Sequence, residues 1–202
     1  MASVNVDAYQ YKHYNSGWSS WSTNLYGGYS GSTKYAAVIR YKLPDMSQKL
    51  PPYTISVKIP WIRQTTSAES GKFTVYLFTS DPTGRTPSNI ASTTDPVIRD
   101  TVTKSWSETD HELHTTTVTL EYSPSAPTTA TYFYIWIANS VDFLEIGYKG
   151  EVTASSYRMT ITYGTAAVWL DTTGASDGSG WKRCIVWLDT TGASDGSGWK
   201  QV

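Results

Sequence analysis

Apolar and polar residues alternate along most of the chain, a pattern typical of β-strands that bury one face. In the segment 53–62, Ile55, Val57 and Ile59 fall on one face, with serine and lysine between them. Pro60 interrupts this segment and predicts an edge strand or a β-bulge, because proline cannot donate a ladder hydrogen bond. The same alternation recurs at residues 35–43, 114–122 and 157–163.

Two further segments, 72–79 and 132–138, are apolar on both faces, which predicts central strands covered on both sides. Turn-forming Pro, Gly, Ser and Asn residues separate the strand segments, and no stretch carries a sustained helical stripe. About eight or nine strands are predicted before Gly164, at spacings typical of an antiparallel two-sheet sandwich. Among all-β sandwiches we expect a jelly roll, with an immunoglobulin- or fibronectin-like sandwich as the alternative.

The chain ends in an exact duplication. The segment Val168–Lys182 recurs letter for letter as Val186–Lys200. Each copy holds a short apolar run, a polar loop rich in Gly and Asp, and then Trp-Lys, which predicts a three-stranded β-meander with two identical loops. We therefore divide the chain into a β-sandwich domain at residues 1–164 and tandem hairpin repeats at residues 165–202.

The repeats carry four tryptophans but few other apolar residues. An isolated hairpin is marginally stable in water, and repeat units need neighbours against which to bury their faces. We expect sister subunits to supply that surface, because identical patches suit a symmetric homo-oligomer, with a trimer favoured. The residues expected to pack in this way are Trp169, Trp181, Trp187 and Trp199.

The runs VWLD and SDGSGWK, present in both copies, resemble the tandem units that end structural proteins of tailed bacteriophages of Gram-positive bacteria. The resemblance implies a virion component: a head or tail fibre, a decoration protein or a receptor-binding module. It also implies other virion proteins as partners. The expected location is the virion or the extracellular space without a cleaved signal peptide, because such proteins assemble in the cytoplasm and are released by lysis.

The composition narrows the classes of function. Among 202 residues, 16 Lys and Arg balance 17 Asp and Glu, so a dedicated nucleic-acid binder is not expected. No apolar run reaches membrane-spanning length, and the first residues lack the basic and apolar regions of a secretory signal, so membrane insertion is not expected either. The 15 Tyr and 9 Trp residues suit half-wet surfaces, because each joins a large apolar body to a polar group.

A long segment at residues 11–35 mixes aromatic rings with Gly, Ser and Asn and shows no sustained alternation, which predicts a loop. Exposed rings among small polar residues suit glycan binding. The other interpretation is that these rings cap the sandwich or lie in a subunit interface, where aromatics are enriched. The candidate glycan-binding residues are Trp18, Trp21, Tyr26, Tyr29 and Trp106.

The sequence offers little that resembles catalytic or metal chemistry. His111 and His114 are spaced three apart, not four, and precede a strand, so we expect solvated loop histidines, not zinc ligands. Cys184 is expected to be a small buried residue, not a nucleophile. Asp and Gly at short spacing in the repeat loops are typical of calcium loops but also of ordinary turns. The acidic residues concerned are Asp171, Asp177, Asp189 and Asp195.

Three hypotheses follow. The first is a non-enzymatic virion structural protein, without cofactor or metal, that self-assembles and contacts host-surface polysaccharide. The alternative is a carbohydrate-binding module of a secreted glycan-degrading system. The third hypothesis, an enzyme, is the weakest, because the sequence shows no motif that would bring an acid, a base and a nucleophile together in a catalytic site.

Overall fold

The computed structural model describes most of the sandwich and the strands of the repeats. The described residues are 1–14, 17–24, 36–63, 70–86, 98–105, 112–139, 144–147, 151–165, 168–170, 186–189 and 199–201, with the backbone alone at residues 63, 70–73, 98–105, 139, 144 and from 168 onward.

These residues form thirteen strands and a short 3₁₀ helix at Ala154–Tyr157. The strands are β1 (Ala2–Val6), β2 (Gln10–Tyr14), β3 (Ala36–Lys42), β4 (Lys49–Arg63), β5 (Ser70–Phe78), β6 (Ile98–Ser105), β7 (His114–Tyr122), β8 (Tyr132–Asn139), β9 (Leu144–Ile146), β10 (Met159–Thr165), β11 (Val168–Leu170), β12 (Val186–Asp189) and β13 (Trp199–Gln201).

Two antiparallel sheets make up the sandwich. The first has the order β1-β10-β4-β7, with β9 also paired to β4, and the second has the order β2-β3-β8-β5-β6. The predicted all-β, two-sheet architecture is confirmed. Ten strands are described up to Thr165, where eight or nine were expected.

The pairing of the strands is nested. Strand β1 pairs with β10, β3 with β8, β4 with β7, and β5 with β6. Two lateral pairings, β10 with β4 and β8 with β5, join these ladders into sheets. The chain therefore runs as one long hairpin whose arms are laid across two layers.

The two sheets bury a common core between them. Ile39 and Ile135 of the second sheet pack in one cluster with Ile55, Val57 and Ile161 of the first, and all five side chains have no exposed surface. The inward faces predicted from alternation are confirmed. The segments predicted to be central strands are also confirmed, because β8 and β5 both lie inside the second sheet.

Pro60 does not mark an edge strand, because β4 lies between β10 and β7. The proline is tolerated because its side of β4 has no ladder partner at that point. The β10 pairing ends at Val57, the β9 pairing begins at Trp61, and the Pro60 carbonyl accepts a hydrogen bond from the Gly147 amide (2.8 Å). The missing N–H thus falls in the gap between two neighbours of the strand.

The repeat segment contributes β11, β12 and β13, which pair antiparallel in chain order as a third sheet. The register places Trp169 opposite Trp187 and Asp189 opposite Trp199. Trp181 and the side chains of the other three tryptophans lie outside the described residues, so their packing stays a prediction.

Candidate functional site

The outer face of the second sheet is rich in aromatic side chains. Alternation turns one set of residues on β2, β3, β8 and β5 away from the core, because their neighbours in sequence are buried inside it. A second apolar cluster forms there. Its buried members are Ala36, Val38, Tyr76, Phe78, Tyr134 and Trp136.

Residues 17–24 fold back along β2, which is an edge strand of the second sheet. Tyr11 and Ser22 exchange backbone hydrogen bonds of 2.8 and 3.0 Å, and the Ser19 amide donates to the His13 carbonyl (3.0 Å). The prediction of a loop at residues 11–35 is therefore wrong at its start. Strand β2 extends to Tyr14, and Tyr11 is 2% exposed and lies in the inner core.

Trp18 has a structural role. Its indole N–H donates to the Arg85 carbonyl (2.7 Å), and its ring meets Trp136 edge-on, with the centroids 4.8 Å apart at 82°. The partly buried ring covers the outer apolar cluster. A role of Trp18 in glycan binding stays a prediction.

Trp21 belongs to a ring of aromatics around a cation. The Arg40 guanidinium carbon lies 4.6 Å from the Trp21 ring centroid, 4.7 Å from that of Tyr132 and 5.3 Å from that of Tyr9. Tyr9 and Tyr132 stack with centroids 6.1 Å apart at 22°. Cations are attracted to ring faces, so Arg40 is held between three rings. We call Tyr9, Trp21, Arg40 and Tyr132 the Arg40 cluster.

The hydrogen-bonding capacity of the Arg40 cluster is not fully used. Gln10 stands opposite Arg40 in the β2–β3 register. The Arg40 Nε and Gln10 Oε1 atoms are both buried, and neither has a hydrogen-bond partner within the described part of the chain. Burial raises the pKa of Tyr134, as does Asp81, whereas a hydrogen bond from Arg40 and its charge act in the opposite direction.

Positive charge accumulates beside this cluster. Lys12 Nζ lies 4.7 Å from the Trp21 ring centroid and 3.4 Å from the Thr83 hydroxyl, which itself donates to Asp81 (2.7 Å). Lys42 follows Arg40 by two residues on β3 and is exposed on the same face. Among the described residues, none of these three cations forms an ion pair; the ion pair found there joins Arg158 to Asp7 (2.8 Å).

The histidine prediction needs correction. His114 is not a solvated loop residue; it begins β7, is partly buried, and stacks on Trp61 with centroids 4.6 Å apart at 25°. The Trp61 indole N–H in turn donates to the Thr116 hydroxyl (2.9 Å). His111 lies outside the described residues. Within the described part of the chain, no group of three or more His, Cys, Asp or Glu residues could hold a metal ion.

Three buried tyrosines form a polar group inside the sandwich that alternation alone did not reveal. The Tyr11 hydroxyl donates to the Ile146 carbonyl (3.3 Å), and the Tyr41 hydroxyl donates to the Tyr157 carbonyl (2.8 Å). Burial raises the pKa of all three phenols, and the charge of the buried Glu145 raises those of Tyr11 and Tyr157 further. The hydroxyls of Tyr11 and Tyr41 therefore stay protonated and act as structural donors.

Several candidate residues fall outside the described residues, and their roles stay predictions: Tyr26, Tyr29, Trp106, Cys184, Asp171, Asp177 and Asp195. For Asp189 only the backbone is described, in β12. The sequence did not predict that Tyr9, Lys12, Arg40 and Tyr132 belong to the candidate site. A usable signal was the two-sided apolar pattern of β8, since something must cover its second face.

No helix in the described part of the chain is both long and apolar enough to cross a membrane. A scan against protein-family models finds no match, and a search of curated proteins finds no match either.

Proposed function

We propose that the chain is a non-enzymatic virion structural protein that self-assembles and contacts host-surface glycans. It would serve as a head or tail fibre, a decoration protein or a receptor-binding subunit. The observation that carries this proposal is the exact C-terminal duplication, whose VWLD and SDGSGWK runs resemble the ends of structural proteins of tailed bacteriophages.

We further propose that the sandwich is a jelly roll. The nested pairing supports this, because a jelly roll is a long antiparallel hairpin wrapped into two sheets. Without β2 and β9, the sheet orders are β1-β10-β4-β7 and β3-β8-β5-β6. Each sheet therefore holds two of the four nested strand pairs. Jelly rolls occur in viral capsid and lectin domains, so the fold agrees with assembly and with glycan contact. Function still rests on the sites, not on the fold.

We expect self-assembly through the repeats because they hold too few residues to form a hydrophobic core of their own. Strands β11, β12 and β13 have only three or four residues each. A small sheet of this kind cannot bury four indoles by itself. Identical units offer identical patches to a closed symmetric assembly, so we expect a homo-oligomer, with a trimer favoured.

The test is the mass of the full chain in solution, measured by size-exclusion chromatography with light scattering. We expect an oligomer, most simply with three times the chain mass of 22.4 kDa. Replacing Trp169 and Trp187 together by serine should lower that mass, whereas Tyr9→Ser, which removes an exposed ring from the sandwich, should not. A monomeric wild type, or a double variant with unchanged mass, would contradict assembly through the repeats.

The alternative is a carbohydrate-binding module of a secreted glycan-degrading system. The aromatic, cationic outer face of the second sheet favours it, because such a face can dock sugar rings without any repeat-driven assembly. A monomer that is retarded by polysaccharide in native affinity electrophoresis would favour this alternative over the virion proposal.

A further inference from the structure

We propose that the Arg40 cluster binds an acidic polysaccharide through the carboxylate of a sugar unit. This inference rests on the glycan-contact part of the proposed function and names its ligand class and its residues. It does not depend on the chain being part of a virion.

The rings supply the surface for the sugar. Tyr9 is 44% exposed, one of the two large hydrophobic side chains exposed to this degree among the described residues. It stacks on Tyr132, and Trp21 flanks the same guanidinium from another position. The face of a ring is electronegative and attracts the weakly positive C–H bonds that line one face of a pyranose. Because the guanidinium occupies the space between the three rings, the exposed ring of Tyr9 is the surface on which a sugar would stack, beside the charge of Arg40.

The cations supply the charge selection. Lys12, Arg40 and Lys42 lie on the same face of β2 and β3 without carboxylate partners among the described residues. Arg40 is the best placed, because its fork matches a carboxylate in two parallel hydrogen bonds and three rings restrict its orientation. The chain as a whole has a formal net charge of −1, so this concentration of positive charge is local.

The charge of the Asp81 carboxylate raises the pKa of Tyr134 on this face, but the carboxylate already accepts hydrogen bonds from a neighbouring residue. Its Oδ1 accepts hydrogen bonds from the Thr83 amide (2.9 Å) and hydroxyl (2.7 Å). Lys12 reaches only the hydroxyl of Thr83. The acid therefore orders the neighbouring turn and leaves Arg40 without a carboxylate partner among the described residues.

An acidic sugar fits this face better than a nucleic acid does. Single-stranded nucleic acids also stack on aromatic rings, but their binding sites follow the phosphate backbone along an extended basic groove. Here the cations form one small patch around one cluster of rings. A sugar that carries one carboxylate matches both the small patch of cations and the single cluster of rings.

The experiment measures binding of the full chain to polymers by calorimetry and affinity electrophoresis. The acidic probes are polygalacturonate and polysialate, which present the carboxylate on different rings. The controls are methyl-esterified polygalacturonate, which keeps the sugar without the charge, polyglutamate, which keeps the charge without the sugar, and oligo-dT. We expect binding to at least one acidic polysaccharide, at least tenfold weaker binding to the controls, and weakening by salt.

The variants locate the site. Arg40→Gln should weaken binding about ten- to hundredfold, the loss expected for a charge-assisted hydrogen bond, and Arg40→Lys should lie in between. Tyr9→Ala, which removes a largely exposed ring, should weaken it about three- to tenfold. Lys58→Gln removes a positive charge from the exposed face of the first sheet and should change affinity less than twofold. Unchanged melting curves establish that each variant is folded.

The outcomes separate the two proposals. Equal affinity for the methyl ester would overturn the carboxylate assignment and leave glycan contact standing. Binding to polyglutamate or oligo-dT as tight as to the acidic polysaccharides would overturn the sugar assignment. Failure to bind either acidic polysaccharide, or an Arg40→Gln variant that binds like Lys58→Gln, would overturn the site. The solution mass of the chain tests self-assembly independently of all these results.

Discussion

Tyr53 offers the sharpest test of how the sandwich is held together. This fully buried residue of β4 donates its hydroxyl hydrogen to the Lys49 carbonyl (2.7 Å) and accepts a hydrogen bond from the Thr128 amide (3.0 Å). One phenol therefore satisfies two backbone groups, one at the start of its own strand and one in the connection between β7 and β8. Tyr53→Phe keeps the ring and removes only the oxygen.

The expected cost follows from the two groups left behind. A buried N–H without a partner costs about 1–3 kcal/mol, and the half-buried Lys49 carbonyl adds about 1 kcal/mol because water reaches it in part. We expect Tyr53→Phe to lower the free energy of unfolding by about 2–4 kcal/mol. Urea denaturation measures this loss, with the slope against urea unchanged if only stability is altered.

A matched control is Tyr163→Phe, because that half-buried tyrosine has no hydroxyl partner among the described residues. It should change the free energy of unfolding by less than about 0.5 kcal/mol. Hydrogen exchange adds a local readout, since the Thr128 amide should exchange faster in Tyr53→Phe. A loss below about 0.5 kcal/mol with the Thr128 amide still protected would refute the assignment of this hydroxyl as a double partner.

Two further predictions concern the β2 edge. Burial lowers the pKa of His13 below its ordinary value of 6.5, so the unfolded chain binds the proton more tightly; stability should be full above pH 6.5 and decline as the pH falls toward the lowered pKa. His13→Gln should flatten that decline in denaturation curves at pH 7.5 and 5.5, and parallel pH profiles would contradict this. Trp18→Phe loses the hydrogen bond to the Arg85 carbonyl and should cost about 1 kcal/mol. The indole N–H of Trp21 has no hydrogen-bond partner among the described residues, so Trp21→Phe should cost less, and equal losses would show that the indole N–H of Trp18 is unimportant.

Strand identity and facing were readable from the sequence where alternation was strict. Val118 and Leu120 of β7 and Ile161 of β10 are buried as their pattern predicts. The pattern was weaker at β2, where alternating tyrosines are mixed with polar residues that also suit a loop. His114 was misread for a related reason: a polar residue that begins a strand gives no signal that a neighbouring strand will bring Trp61 against it.

The candidate site was only partly readable. Trp21 was singled out for its residue type, and the structure places it beside Arg40. Arg40 itself carried no signal, since an arginine in an alternating strand is normally a solvated outer residue. Arg40 became a candidate binding residue only because Tyr9 and Tyr132, from distant parts of the chain, lie against its guanidinium.

What the sequence determined by itself is local: which segments extend, which side chains of each strand turn inward, and that one unit occurs twice after the sandwich. Period-two alternation encodes these because each residue's face depends only on its neighbours along one strand. What the tertiary structure decided is which strands meet. The nested pairing brings β2, β3 and β8 side by side, and only then do three rings surround one guanidinium. Alternation is the same for every possible partner strand, so the order of strands depends on how the whole chain satisfies its backbone hydrogen bonds and buries its core together.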